Sequence, residues 1–445
     1  MEQENKKIPR RIAQTVISSL KGGVVPRIGL PYITVGRRRE VEALLHDLEL
    51  TGEGGASFRF IEGKYGSGKS FLLQTIRNYA MDRGFIVCDA DLSPERRLHG
   101  SSGEGLATYR ELMGNISVKA KPEGSALTLI LDKWIQSIQA EAAAEGADYS
   151  SPDFSNEVEK KIFEVIRGIN ELTHGFDFGK VLAAYYRGYA EDDENLKACS
   201  LKWLKGEYPT KTEAKKDLSV TSVISDNDWY EYLKLFAVFF RRAGYTGLLI
   251  FIDELVNIYK IPNSISRQYN YEKILTMYND AMQGKAHYIG TVMCGTPQAI
   301  EDNRRGVYSY EALRSRLADG RFSEEGLRDL LAPVIKLEPL NAEEMLVLSE
   351  KLADIHAGLY SYERNIGEAD LADFIRIEYG RVGADTLITP REIIRDFIEL
   401  LDIIMQNPGM TPAGILGSDK FSYATAETVL EKKDNAEVSF AEFKL

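Results

Sequence analysis

The stretch "GKYGSGKS", Gly63 to Ser70, fits GxxxxGK[ST] completely and constrains the chain more than any other segment. It follows the apolar run "FRFIEG" and precedes "SFLLQTIRNYAMDRG", whose spacing predicts a helix ending at Gly84. Strand, glycine-rich turn and helix in that order form the setting in which this pattern binds phosphate. Glycines let backbone amides curl around an anion, and the helix N-terminus adds partial positive charge. Gly63, Tyr65, Gly66, Ser67, Gly68, Lys69, Ser70 and Phe71 are therefore the candidate nucleotide contacts. Lys69 is expected to reach the β- and γ-phosphates of ATP and counts among the catalytic residues, and the Ser70 hydroxyl is expected to bind Mg²⁺.

Four further apolar runs read as strands: "FIVCDADL", "LLIFIDEL", "AHYIGTVMCG" and "VIKLEPL". Continuous apolar runs joined by helical connections predict an α/β fold, with a five-stranded parallel sheet covered on both faces. The second and third runs are separated by the long span from Asp91 to Leu248, although a parallel crossover needs only a dozen or more residues. A large helical insertion at about 100–245 is the expectation. Its periodic segments fall near 104–114, 125–143, 155–172, 178–190 and 227–243, with breaks at "KPEGS", "GADYSSPDFS" and "YPTKTEAKKD". After residue 340 the chain is again helical to about Met405, and from Gln406 it reads as loosely ordered.

"LLIFIDE" ends in Asp253 and Glu254. An acid pair directly after a buried strand sits where ligands bind in an open α/β sheet. Asp253 is placed to hold Mg²⁺ through water, and Glu254 to orient and deprotonate an attacking water.

Composition removes other classes. The net charge of −12 argues against a strongly basic DNA-binding protein, although "KKIPRR" and "GRRRE" leave room for a local basic patch and non-specific DNA contact. The N-terminus shows no secretory signal, and no run of about 18 apolar residues exists to span a membrane. The 3 cysteines are widely spaced and match no zinc pattern, which suits a reducing cytoplasm.

These motifs, with a helical C-terminal region, resemble the AAA+ branch of P-loop ATPases. The resemblance implies an AAA+ core with a C-terminal helical lid. The implied boundaries are an N-terminal arm at 1–25, a core at 26–340 holding the insertion, a lid at 341–408 and a tail at 409–445. "ITVGRRREVEALL" resembles the segment lining the adenine pocket, with Val35 and Gly36 its contacts. Thr296 in "VMCGTPQ" stands where AAA+ proteins keep a polar sensor, and it also suits an N-cap with Pro297 at the first helical position. "ITPREIIRDFIELL" resembles the second sensor: Thr389 and Glu392 suit a capping box, and Arg391 falls in the first turn, where the helix dipole disfavours a cation. In "YEALRSRL", Arg316 matches the arginine finger that acts on a neighbouring subunit's ATP, with Arg314 the runner-up and Arg304 and Arg305 further candidates. An oligomer with ATP at subunit interfaces is implied.

A narrower resemblance rests on "GGVVPRIGLPYITVGRRRE", "DADLSPERRLHG", "ATYRELM" and "RRGVYSYEALRSRL". These segments are similar to the ATP-binding protein family of BREX phage-defence loci, the BrxD type, over roughly residues 15–405. The family implies a prokaryotic source, a role in anti-phage defence and work beside a helicase or DNA-modification protein. Two functions remain open: an oligomeric motor or switch in DNA-directed defence, and a signalling or scaffold ATPase whose nucleotide state controls partner assembly. In "LSPERRLHG", Ser93 and Pro94 suggest a helix start, and Arg96, Arg97 and His99 are candidates for contact with nucleotide, nucleic acid or a partner.

Overall fold

The structure is a computed structural model that describes residues 8–146, 152–170, 172–318, 329–380 and 389–417. Ala56–Glu62, Ile86–Asp91, Leu248–Asp253, Ile289–Gly295 and Val334–Lys336 are strands β1 to β5. They form one sheet in the order β2-β3-β4-β1-β5, and every pairing is parallel. The five apolar runs of the sequence are these five strands. Most of β1, β3 and β4 is buried, as a sheet covered on both faces requires.

The described residues divide into two compact units. One draws on Arg39–Lys64 and Thr75–Lys336 and contains the whole sheet; the other draws on Met1–Arg38, Tyr65–Gln74 and Leu337–Leu445.

In the sheet unit, seven helices stand between β2 and β3 among the described residues: Glu104–Gly114, Leu127–Ala144, Pro152–Asn170, Gly175–Ala190, Glu194–Leu204, Lys211–Leu218 and Trp229–Arg242. They share the core of the sheet. One apolar cluster joins Ile86, Cys88 and Ile250 of the strands to Trp134, Phe178, Trp203 and Phe236 of the helices. Edge-to-face pairs knit it together, Trp134 with Phe239 and Phe178 with Phe236, each at 4.9 Å between ring centroids. On the outer edge of β2, Val87 exchanges two backbone hydrogen bonds with Ser117. On β1, Arg59 is buried and grips both carboxylate oxygens of Asp47 at 2.6 and 2.8 Å, which ties the strand to the helix Arg38–Gly52.

Three local readings differ from the structure. "YPTKTEAKKD", expected to break the helical pattern, contains the helix Lys211–Leu218. The Thr210 hydroxyl caps it by accepting from the Glu213 amide, and its buried residues are Ala214 and Leu218, too few to show as a period. "GADYSSPDFS", likewise expected to be a break, contains the start of the helix Pro152–Asn170, while residues 147–151 lie outside the described chain. Ser93 and Pro94 start no helix. Ser93 and Arg96 close a tight turn on each other, and the next helix begins at Glu104. The helix Ser264–Met282 had no sequence reading, because its buried face mixes Arg267, Asn270 and Asp280 with Tyr271, Ile274 and Met277.

The second unit is helical. Arg10–Lys21, Ala342–Tyr360, Glu368–Tyr379 and Pro390–Gln406 enclose a cluster that includes Val16, Ile17, Met345, Phe374, Phe397 and Leu401. Residues 10–21, within the segment read as an arm, thus contribute to this core. Beyond Gln406 the short helix Pro412–Leu416 is described, while the rest of the expected tail, 418–445, lies outside the described residues.

Candidate nucleotide-binding site

The residues singled out in the sequence fall into two groups, one in each unit. In the helical unit lie Tyr65 to Phe71, Val35, Gly36 and Arg391. Gly66 and Gly68 have φ of 76° and 94°, the left-handed region that glycine enters without steric cost. Between them Ser67 is 3% exposed, and its hydroxyl has no hydrogen-bond partner. A Cβ on Gly66 would lie 2.4 Å from the Thr389 Cβ, so the cap of the helix Pro390–Gln406 abuts the phosphate loop. That cap is a complete capping box between Thr389 and Glu392, and Arg391 is exposed in the first turn beside it. Lys69 stands at the start of its helix, its ammonium 5.4 Å from the Tyr65 ring centroid.

The segment that leads to "GRRRE" packs against the same unit. Gly36 has φ of 63°, and a Cβ there would meet the Glu344 carboxylate at 2.5 Å, so a larger residue would be strained and would have to displace that side chain. Val35 and Phe71 are partly buried against the helical core. Arg37 also takes a left-handed conformation, φ 59°, and donates to the Ser67 carbonyl at 2.8 Å and the Glu338 carbonyl at 2.5 Å.

In the sheet unit lie Gly63, Asp253, Glu254, Thr296 and Arg316. The Gly63 amide donates to the Gly295 carbonyl at 3.1 Å, which fixes the entry of the loop against the end of β4. Thr296 follows directly and caps the short helix Pro297–Glu301 by accepting from the Ala299 amide at 3.2 Å. One strand further, Asp253 ends β3 opposite Asp91. Glu254 comes next with φ of 61°, and its amide donates to the Asp253 carboxylate at 2.7 Å. A left-handed glutamate costs about 1–3 kcal/mol and persists where the surroundings impose it. Both carboxylates are half-buried.

Arg314 and Arg316 are exposed on the helix Glu311–Leu317, whose Leu313 and Leu317 are buried. Arg316 donates to the Ala312 carbonyl at 2.6 Å, and Arg314 reaches the Asn303 side chain at 3.5 Å. The loop with Arg96, Arg97 and His99 is held from outside: Asn270 accepts the amides of Leu98 and His99, and Asp226 accepts those of Gly100, Gly105 and Leu106. The roles of Asn270, Asp226 and Arg37 left no mark in the sequence. A hydrogen bond between residues far apart in the sequence has no local pattern, and Arg37 is one of three consecutive arginines.

Among the described residues no group of three or more His, Cys, Asp or Glu could hold a metal ion. A phosphate loop needs none, since one hydroxyl, one acid and the phosphates themselves bind Mg²⁺ there. The loop fits a nucleotide phosphate: two left-handed glycines flank a buried hydroxyl without a partner, and Lys69 opens the helix.

A parallel α/β sheet whose strand β1 runs into such a loop defines a P-loop nucleotide-binding protein. The family model described as BREX system ATP-binding protein BrxC/D matches residues 8–420, and the chain belongs to that family. It is an ATP-binding protein of the BREX phage-defence system. No curated protein matches the chain.

Proposed function

We propose that the chain binds ATP with Mg²⁺, hydrolyses it, and uses the cycle as an oligomeric switch or motor in phage defence. The observation that supports this most is the phosphate loop, with Gly66 and Gly68 left-handed around a buried Ser67. In this reading the loop amides and Lys69 hold the phosphates, and Val35 and Gly36 border the base. Mg²⁺, held by the Ser70 hydroxyl and through water by Asp253, would neutralise charge on the β- and γ-phosphates. Glu254 orients the attacking water and takes its proton, Thr296 contacts the γ-phosphate side, and Arg391 and Arg316 supply cations from the second sensor and from a neighbouring copy. The half-burial of Asp253 and Glu254 at the carboxyl end of β3 fits a site that must exclude bulk water.

Lys69→Ala is expected to abolish ATP binding, because it removes the main cation on the phosphates. Glu254→Gln is expected to keep binding and lose turnover, since the base goes while Asp253 stays. Calorimetric titration with ATP and a phosphate-release assay separate the two. Normal hydrolysis by Glu254→Gln would remove Glu254 as the base.

A second reading, a scaffold ATPase that controls partner assembly, draws on the net charge of −12. Stimulation of hydrolysis by DNA alone favours the first reading, and stimulation by a partner protein alone favours the second.

A further inference from the structure

Arg37 holds a place that none of the roles above covers. Its guanidinium donates to two backbone carbonyls, Ser67 of the phosphate loop and Glu338 of the segment leading into the helix Ala342–Tyr360. The same nitrogen lies 3.9 Å from where a Cβ on Gly68 would stand. The helix it reaches towards begins with a capping box of Asn341 and Glu344, and Glu344 closes on Gly36, the residue before Arg37. Arg37 is itself left-handed, a conformation that a long side chain rarely adopts.

We infer that Arg37 is a positioning residue for ATP: it holds the Ser67 carbonyl outward, so that the amides on either side of it face the phosphates. The chemistry follows from the peptide unit. A phosphate cradle works only if its N–H groups point at the anion and its carbonyls point away. The peptides around Ser67 are joined by two glycines, Gly66 and Gly68, which permit the reverse orientation at no steric cost. A guanidinium cannot lose its charge and offers only donors, so it donates to a carbonyl and cannot bond an amide N–H. By gripping Glu338 as well, Arg37 fastens the cradle to the root of the helix Ala342–Tyr360. Arg37 need not touch the nucleotide to do this.

The inference rests on the ATP-binding reading, and its test has two independent readouts on the full chain. The first is calorimetric ATP affinity of wild type, Arg37→Ala, Arg37→Lys and, as a control, Arg39→Ala on the exposed neighbour. Loss of two charge-assisted bonds is expected to weaken Arg37→Ala by about ten- to a hundredfold. Arg37→Lys, whose shorter side chain ends in a compact ammonium that must reach the same two carbonyls from further away, falls between, and Arg39→Ala stays within about twofold of wild type. The second readout is amide hydrogen exchange of the peptide covering residues 63–72 without nucleotide. It is expected to quicken in both Arg37 variants while the β3 and β4 peptides are unchanged. If wild type binds no ATP, the functional reading falls, and the exchange experiment alone decides the role of Arg37. Wild-type exchange in the loop of Arg37→Lys, or wild-type ATP affinity in both Arg37 variants, overturns the inference. Loss of fold in Arg37→Ala moves the test to Arg37→Lys, with the same criteria.

Discussion

His356 is fully buried in the helical unit, with its Nε2 3.2 Å from Asp402 and its Nδ1 3.0 Å from the Tyr362 hydroxyl. A carboxylate can only accept, so Nε2 carries the proton and Nδ1 accepts from the tyrosine. Lys21 also binds Asp402, at 2.6 Å, and so competes for its charge. Burial pushes the pKa of His356 down, and the Asp402 hydrogen bond opposes this less strongly. With the folded value below the unfolded one, the neutral ring stabilises the fold fully above the ordinary value of about 6.5. That contribution is lost as pH falls through the depressed value. Urea midpoints are therefore expected to drop between about pH 7.5 and about pH 5.5, and His356→Gln to flatten that slope. A glutamine variant with the wild-type slope would clear His356 of the effect. Nothing in "DIHAGLY" announced this contact, since its partner lies on a helix far along the chain.

Elements set which residues can change without loss. Gly66→Ala would place a Cβ into the Thr389 side chain at 2.4 Å, on a backbone with φ of 76°. The loop must shift to admit it, so ATP binding is expected to fall by at least tenfold while circular dichroism keeps the helix and strand content. Unchanged affinity would mean that the cap at Thr389 yields instead. Elements were also the most legible part of the sequence. The five strands stood out because burial on both faces leaves unbroken apolar runs, and the loop stood out because its motif is contiguous. The parallel pairing of all five strands confirms the sheet that those runs predicted, while the strand order was not read from them. The helix Lys211–Leu218 escaped notice because it is held by a cap and two apolar anchors, and Ser264–Met282 because its inner face is partly polar. The left-handed residues Arg37 and Glu254 were invisible as conformations, since neither side chain favours that region.

At the scale of the whole molecule, the exposed Arg316 poses the question of a second copy. A finger acting in trans stabilises charge on the γ-phosphate and is worth about 10³–10⁵ in rate. Arg316→Ala is expected to bind ATP nearly as well as wild type and to hydrolyse it slower by orders of magnitude. Mixed with Lys69→Ala, it should regain some activity, because some interfaces would join an intact loop to an intact finger. Arg314→Ala is the control on the other shoulder of that helix. Specific activity that stays flat on dilution to monomer would sink the idea. The sheet carries a further consequence, for the order in which the chain acquires its structure. β2 pairs with Ser117 on one edge and with β3 on the other, and seven helices stand between β2 and β3 in the described chain. A ribosome adds about 5–20 residues per second, so Ser117 emerges within a few seconds of Val87, while β3 follows on the order of ten to thirty seconds later. β1 waits longer still, since its partners are β4 and β5. During that interval the nascent chain holds two apolar strands with no sheet to join, and the helices already made, with Trp134 and Phe178 among them, are the surface available to shelter β2.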